Sequence, residues 1–281
     1  MQNYHELLQT VLDTGVTQVN RTGVSARFIP GAMLRYDLQK GFPAITTKRL
    51  AFGAVKGELI GFLHGCQSAA DFRALNCNIW TQNANENQAW LNNPNRKGTD
   101  DLGRIYGAIW RDFNGIDQLK EVVSKIINTP TDRRIIMSAW KPDEFDKMAL
   151  PPCHVLYQFL VDTVHKRLHL CMYQRSCDLF LGVPFNIASC ALLLSLVAEA
   201  TGYTAGSFTH FLADVHIYEN HVEQVKLQLS RQHLEPPKLR LAMTKGDGLK
   251  GAMDAILGMS PEDIVLVDYN SHAAIPAPMA V

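Results

Sequence analysis

The chain has 281 residues, 47% hydrophobic and 19% charged, which fits one large globular domain able to bury a sizeable core, with two small domains as the less economical alternative. Its 27 Lys and Arg balance 27 Asp and Glu, so no net field draws a nucleic-acid polymer or an anionic membrane surface, and any bound anion must be held by a local cluster. The six cysteines (Cys66, Cys77, Cys153, Cys171, Cys177, Cys190) form no C-x-x-C pair, and the N-terminus Met1-Gln2-Asn3-Tyr4-His5 lacks a basic region followed by an apolar one. A reducing cytoplasm is the expected setting, the host's cytoplasm for a viral source.

In chain order, Tyr4, Leu7, Leu8, Val11 and Leu12 recur at helical spacing, and Lys56 to Ile60 lies in a mostly apolar helical run. Asn83 to Asp101, rich in Asn, Pro and Gly, reads as an insertion that is mostly loop, with a helical turn at Glu86 to Leu91. Ile116, Leu119, Val122, Val123, Ile126 and Ile127 mark a second amphipathic helix. Arg134 to Ala139, His154 to Val161, Leu168 to Tyr173 and Ile264 to Tyr269 are rich in β-branched or aromatic residues and read as strands, the middle two joined as a hairpin by the polar stretch Asp162 to Arg167. Ile187 to Ala198 is too short to span a bilayer and reads as a buried core helix. Strands and helices alternate irregularly, with no repeat, low-complexity tract or flexible linker. The expected fold is a single α+β domain, residues 1–281, with helices covering a sheet.

Several side chains carry chemical potential. Cys153, in Leu150-Pro151-Pro152-Cys153-His154, is a nucleophile only as thiolate, and a neighbouring positive charge would favour that form. Arg175 falls on the paired strand of the hairpin, where it can approach Cys153 across the sheet; a lone cysteine is nonetheless more often a small buried hydrophobe. Arg21, in the turn-like Asn20-Arg21-Thr22-Gly23, and the pair Arg133-Arg134 suit bidentate phosphate binding, although solvated surface arginine is the commoner state of each alone. His216 and Tyr218 share one face of a strand and can hydrogen-bond a sugar hydroxyl, or simply line a half-buried face. Glu58 either faces solvent, the commoner outcome, or is a buried acid with a raised pKa. No Gly-rich phosphate loop and no His/Cys zinc spacing is present, so no metal is expected.

Together these segments resemble the thymidylate synthase family along nearly the whole chain. The likeness runs through Asn20-Arg21-Thr22-Gly23, Gly41-Phe42-Pro43-Ala44-Ile45-Thr46-Thr47-Lys48-Arg49, Ile79-Trp80, Asp101-Leu102-Gly103-Arg104-Ile105-Tyr106-Gly107 and Arg133-Arg134-Ile135-Ile136. It continues through the cysteine segment, Tyr173-Gln174-Arg175-Ser176-Cys177-Asp178, Val183-Pro184-Phe185-Asn186-Ile187-Ala188-Ser189, His216-Ile217-Tyr218 and the terminal Met279-Ala280-Val281. The resemblance implies a mixed β-sheet covered by helices, a homodimer packed sheet to sheet, and two small partners, dUMP and the reduced folate 5,10-methylenetetrahydrofolate.

By position, the resemblance implies that Cys153 adds to C6 of the uracil ring and makes C5 a carbon nucleophile. Arg21, Gln174, Arg175 and Ser176 match substrate contacts, phosphate ligands in the case of the two arginines and the serine, and Arg133 with Arg134 reach the same phosphate from the partner subunit. Asn186 matches the family's base reader, accepting from uracil N3–H and donating to O4, whereas aspartate there would suit cytosine. His216 and Tyr218 match deoxyribose contacts. Glu58 takes the general acid and base position, and Tyr106 assists removal of the C5 proton. Trp80, Leu150, Asp178, Leu181, Gly182 and Phe185 match the folate pocket, with Asp178 bonding the pterin, and Ala280-Val281 the tail that closes over both ligands.

Four positions depart from the family pattern. Thr81 stands where Asp usually follows the tryptophan, Cys190 where Tyr follows Ile-Ala-Ser, Gly61 where Trp commonly follows the Glu-Leu-Leu segment, and Ala213 where Gly commonly precedes the Asp-x-His-x-Tyr run. Phage-type relatives hydrate the one-carbon unit instead of reducing it, giving 5-hydroxymethyl-dUMP and tetrahydrofolate, and smaller residues at Thr81 and Cys190 are where the extra water would enter. A homologue that had kept the fold and become an RNA-binding protein is expected to have lost Cys153, Glu58 or the tail, and all three are present.

Overall fold

The computed structural model describes residues 1–20 and 23–279. Arg21, Ala280 and Val281 therefore lie outside the described residues. Element order is α1 (Gln2–Thr14), β1 (Val16–Gln18), β2 (Ala26–Asp37), α2 (Phe52–His64), α3 (Ala69–Ala74), α4 (Thr81–Asn85), α5 (Gln88–Leu91), α6 (Tyr106–Arg111) and α7 (Gln118–Asn128). Then follow β3 (Ile136–Ser138), β4 (His154–Asp162), β5 (Arg167–Asp178), α8 (Gly182–Thr201), β6 (Thr204–Tyr218), α9 (Val222–Leu229), β7 (Lys238–Leu241), α10 (Gly248–Leu257) and β8 (Ile264–Val267).

Six strands form one mixed sheet in the order β1-β2-β6-β5-β4-β3, and β7 pairs with β8 apart from it. β4 and β5 form the expected antiparallel hairpin, whereas β5 and β6 run parallel because the whole of α8 carries the chain back between them. The ends of β5 and β6 thus come side by side, with Asp178 paired to His216. The fold is α+β, a mixed sheet with helices on one face, as the strand and helix pattern implied.

α8 is apolar all round and buried, with Gly202 in the left-handed conformation closing its C-terminus. By length and composition it alone among the described residues is able to cross a membrane, but 83% of its apolar window is buried inside the molecule. It is a core helix. α2 is similar, and its glycines set how close its neighbours come: a Cβ on Gly57 would lie 2.0 Å from the Leu75 carbonyl oxygen, and one on Gly61 2.3 Å from the Phe72 ring. The space that a tryptophan would need at position 61 is therefore taken by Phe72.

Some boundaries differ from the sequence expectation. The strand expected over Arg134 to Ala139 shortens to β3, and β8 stops at Val267. The segment Asn83 to Asp101 holds two short helices, α4 and α5, and is pinned by Trp90, whose buried indole donates to the Asp101 carbonyl at 2.6 Å. β2 and most of β6 are absent from the sequence reading. Pro30 and Gly31 interrupt β2, yet β1 covers only residues 26–28, so at Pro30 the strand has an open edge where a missing N–H is tolerated. In β6, Phe208 and Leu212 face the core while Phe211 faces out, which blurs the two-residue period.

Candidate active site

Tyr106 opens α6, and its hydroxyl accepts a 2.7 Å bond from the Cys153 backbone N–H at the entrance to β4. The Tyr106 ring stacks on Phe62 of α2 at 4.9 Å and meets the Trp80 indole edge to face at 5.9 Å. Trp80 in turn donates its indole N–H to Glu58 at 3.0 Å. Cys153, Tyr106, Trp80 and Glu58, spread over 96 positions of sequence numbering from 58 to 153, are thus joined through successive contacts.

Glu58 is only 5% exposed, which corrects the expectation that a lone acid in this helix faces solvent. Burial raises its pKa to about 8, outweighing the Trp80 hydrogen bond that favours the carboxylate. The carboxyl is therefore poised to gain or lose a proton near neutral pH. Burial likewise pushes up the Tyr106 hydroxyl, with the neighbouring Cys153 adding to the effect. The other cysteines are also raised by burial, Cys77 to about 12 and Cys177 and Cys190 further. Their burial favours the inert thiol form.

Arg175 meets Cys153 as the hairpin register requires, its backbone N–H donating to the Cys153 carbonyl at 2.9 Å. Its guanidinium donates through Nε to the Pro152 carbonyl and through Nη2 to the Pro151 carbonyl, both at 2.9 Å, and lies over the Trp140 ring. The arginine thus braces the loop that presents Cys153. With Ser176, His216 and Tyr218, and with Gln18, Asn20, Ala26, Phe28 and Asp214, it also lines a cavity of about 240 Å³. His216 and Tyr218 do share a face, their rings 5.2 Å apart. Burial pulls the His216 pKa down, but the Asp214 carboxylate 2.9 Å from Nδ1 and the nearby charge of Asp178 together outweigh it and leave the group raised.

Asn186 lies in the first turns of α8, where Gly182 brings its backbone close: a Cβ at position 182 would stand 3.6 Å from Asn186 Oδ1. That oxygen accepts from Gln174 Nε2 at 3.0 Å, and Gln174 is itself held by His210, whose Nε2 lies 2.8 Å from Gln174 Oε1. Gln174 is buried and also donates to the Ser176 carbonyl at 2.9 Å. Sequence reading passed over His154 and His210. Burial lowers the His154 pKa to about 4, so the ring is neutral, and its Nδ1 lies 2.8 Å from the Tyr157 hydroxyl. Its place beside Cys153 in sequence is the only signal that singled it out.

Asp178 ends β5 and accepts from the backbone N–H of Phe180 and Leu181, at 2.9 and 3.2 Å through one oxygen. This turn sets the start of α8 and leaves Leu181, Gly182 and Phe185 half-buried beside it, with Leu150 half-buried in the loop before Cys153. Lys48 contacts the same turn, donating to the Phe180 carbonyl with its ammonium 3.6 Å from the centre of the Phe180 ring. Arg133 and Arg134 stand elsewhere. Ile136 pairs with Gln158, so the two arginines lie beside the far end of β4, roughly 25 Å from Cys153 at 3.3 Å per residue. Both are exposed, Arg134 with 84% of its side chain, beside a shallow pocket of about 470 Å³.

At the departing positions, the Thr81 hydroxyl accepts from Arg73 at 3.4 Å, and Asp100 clamps the same guanidinium at 2.9 and 2.6 Å. Cys190 is buried near Tyr157 and Glu58: burial and then the Glu58 charge raise its thiol pKa, and its own charge adds to the burial that raises the Tyr157 hydroxyl. A larger cleft of about 800 Å³, between the end of α8 and β7, contains none of the expected site residues. No group of three or more His, Cys, Asp or Glu among the described residues is arranged to hold a metal ion.

Sheet and site together define a class of α+β protein that brings a loop thiol, a buried carboxyl and an arginine-lined cavity to one end of a mixed sheet. The chain belongs to the thymidylate synthase family, whose model matches residues 2–281. Among curated relatives, it is 43% identical to the thymidylate synthase of Pseudomonas putida, 42% to that of Pseudomonas syringae pv. tomato and 41% to that of Mycoplasma genitalium. Each alignment covers the whole of both chains.

Proposed function

We propose that this chain converts dUMP to dTMP, acting in the cytoplasm as a homodimer whose 281 residues form one catalytic domain. The observation that carries the reading is the buried chain of contacts from Glu58 through Trp80 and Tyr106 to Cys153, next to a cavity faced by Arg175, Ser176, His216 and Tyr218. A nucleotide fits that chemistry. Arg175 and Ser176 bind the phosphate with Arg21, while His216 and Tyr218 meet the sugar hydroxyl. Asn186, its amide oriented by Gln174, reads the base.

Cys153 attacks C6 of the pyrimidine, and the electron pair moves towards C5 and O4. Glu58, with a pKa near neutrality, supplies and removes protons through water near O4. Tyr106, bonded to the Cys153 backbone, assists removal of the C5 proton. The folate cosubstrate, 5,10-methylenetetrahydrofolate, supplies the carbon to C5 and then a hydride to that carbon as the Cys153–C6 bond breaks and the C5–C6 double bond reforms, and it leaves as dihydrofolate. Trp80, Leu150, Asp178, Leu181, Gly182 and Phe185 surround it, and the tail ending Ala280-Val281 excludes water from hydride transfer. The half-buried, mixed apolar and acidic wall at Asp178 to Phe185 suits such a heterocycle.

The homodimer reading is supported by the uncovered face of the sheet. Met33, Phe211 and Tyr173 stand in cross-strand register, with Leu160 and Ile136 on the same face, each between 40 and 60% exposed. A patch of this kind marks an interface. Docking through it also accounts for Arg133 and Arg134, too distant from their own Cys153 and available to the partner's site.

Incubation with dUMP and 5,10-methylenetetrahydrofolate tests the reaction. dTMP and dihydrofolate are expected, read by nucleotide mass and ultraviolet absorbance; 5-hydroxymethyl-dUMP with tetrahydrofolate as main products overturns the reading.

A further inference from the structure

Residues 270–279 form neither helix nor strand, yet they are fixed to the body at spaced points. The His272 backbone N–H donates to the Thr46 carbonyl at 2.9 Å, and Arg231 Nη1 donates to the Ala273 carbonyl at 2.7 Å. Ile275 is buried. The last of these ties is His221, whose Nε2 lies 2.7 Å from the Pro278 carbonyl oxygen. A carbonyl only accepts, so Nε2 carries the proton and Nδ1 is left as an acceptor. Nδ1 is buried and has no partner among the described residues, so the ring's one hydrogen bond is the one to the tail.

The surroundings of that ring are specific. His221 is fully buried and lies 5.5 Å, centre to centre, from both Phe180 and Tyr218. Tyr218 lines the nucleotide-sized cavity, and Phe180 belongs to the turn that Asp178 caps. One imidazole therefore touches the sugar wall, the turn at the start of α8, and the last described part of the chain before Met279.

We propose that His221 is a positioning residue that couples the nucleotide cavity to the C-terminal tail. Its Nε2–H holds the Pro278 carbonyl and so fixes the end of the described chain against the body, while its ring registers the position of Tyr218 and Phe180. The coupling rests on the nucleotide reading above; the tie itself does not.

His221→Phe keeps a ring and removes the donor, whereas His221→Gln keeps a donor. In the unliganded protein, hydrogen exchange at the amides of Ala274, Ile275 and Ala277 should be faster in the Phe variant and restored towards wild type in the Gln variant. Wild-type exchange in the Phe variant overturns the tie, whatever reaction the protein performs. In turnover, losing one hydrogen bond should raise KM for the folate and lower kcat by about 3- to 10-fold in kcat/KM, with dUMP affinity changed less than about twofold. In a chain lacking residues 279–281, the same substitution should have no further effect. Additive losses there, or equal weakening of both ligands, would show a merely structural residue and overturn the coupling. Absence of any turnover of dUMP by the wild type would instead overturn the nucleotide reading and leave the exchange result standing.

Discussion

Glu58 reaches its state through burial rather than through a charged partner. Its carboxyl sits inside an apolar helix with a single indole donor, and the folded protein holds the pKa at about 8 against an ordinary value of 4.5. A folded pKa above the unfolded one means that the unfolded chain releases the proton first as pH rises. Glu58's contribution to stability is therefore complete below pH 4.5 and is lost progressively up to about pH 8. Glu58→Gln keeps an acceptor for the Trp80 indole and removes the titration. The variant's unfolding free energy should fall less than the wild type's between these pH values, by an amount on the order of a few kcal/mol, while turnover drops by at least about 100-fold. Denaturant unfolding at several pH values measures the first; parallel wild-type and variant stability curves would show that Glu58 is not a raised acid.

At the scale of elements, α6 is placed by contact with the backbone of α2. Gly107 follows Tyr106, and a Cβ there would stand 2.3 Å from the Phe62 carbonyl oxygen and 2.5 Å from the Phe62 Cα, atoms that cannot rotate away. Alanine normally favours a helix over glycine by nearly 1 kcal/mol. Here the overlap wins. Gly107→Ala should destabilise the fold by roughly 1–3 kcal/mol and, by pushing α6 from α2, move the Tyr106 hydroxyl off the Cys153 N–H. Thermal unfolding combined with kcat gives the answer; a variant as stable and as active as the wild type would mean that the two helices separate without cost. The same close packing explains how a glycine at position 61 is accommodated, since Phe72 fills the neighbouring space.

The uncovered sheet face belongs to the whole molecule. If two copies pack through Met33, Phe211 and Tyr173, each site receives Arg133 and Arg134 from its partner. Cys153→Ala protein and Arg133→Ala/Arg134→Ala protein should each be inactive or nearly so, and mixing them under exchange conditions should restore up to about a quarter of wild-type activity, because half the dimers are mixed at equal input and each has one intact site. Phe211→Glu should give a monomer with little activity, since an ionised carboxyl would lie in an apolar contact. Sedimentation together with the mixing assay tests both, and a fully active monomer would end the shared-site proposal.

Much of this protein is legible in its sequence because some signals are local. Helical periodicity marks α1 and α7, a long apolar stretch holding only two serines marks α8, and β-branched runs around a polar turn mark the β4–β5 hairpin. The residues beside the cleft were named from motifs whose order along the chain carries the family likeness. What no local signal contains is environment. Whether Glu58 faces water or the core depends on α3, α6 and Trp80 packing around α2, and whether His154 is charged depends on burial shared with distant segments. β6 was missed because its apolar residues divide between a helix-covered face and the face proposed to meet a partner, a division set by the assembled sheet. His221 carries no motif in the sequence reading; its meeting with Pro278 exists only because the chain's end folds back across the body, where desolvation and a 2.7 Å contact give an ordinary imidazole its position.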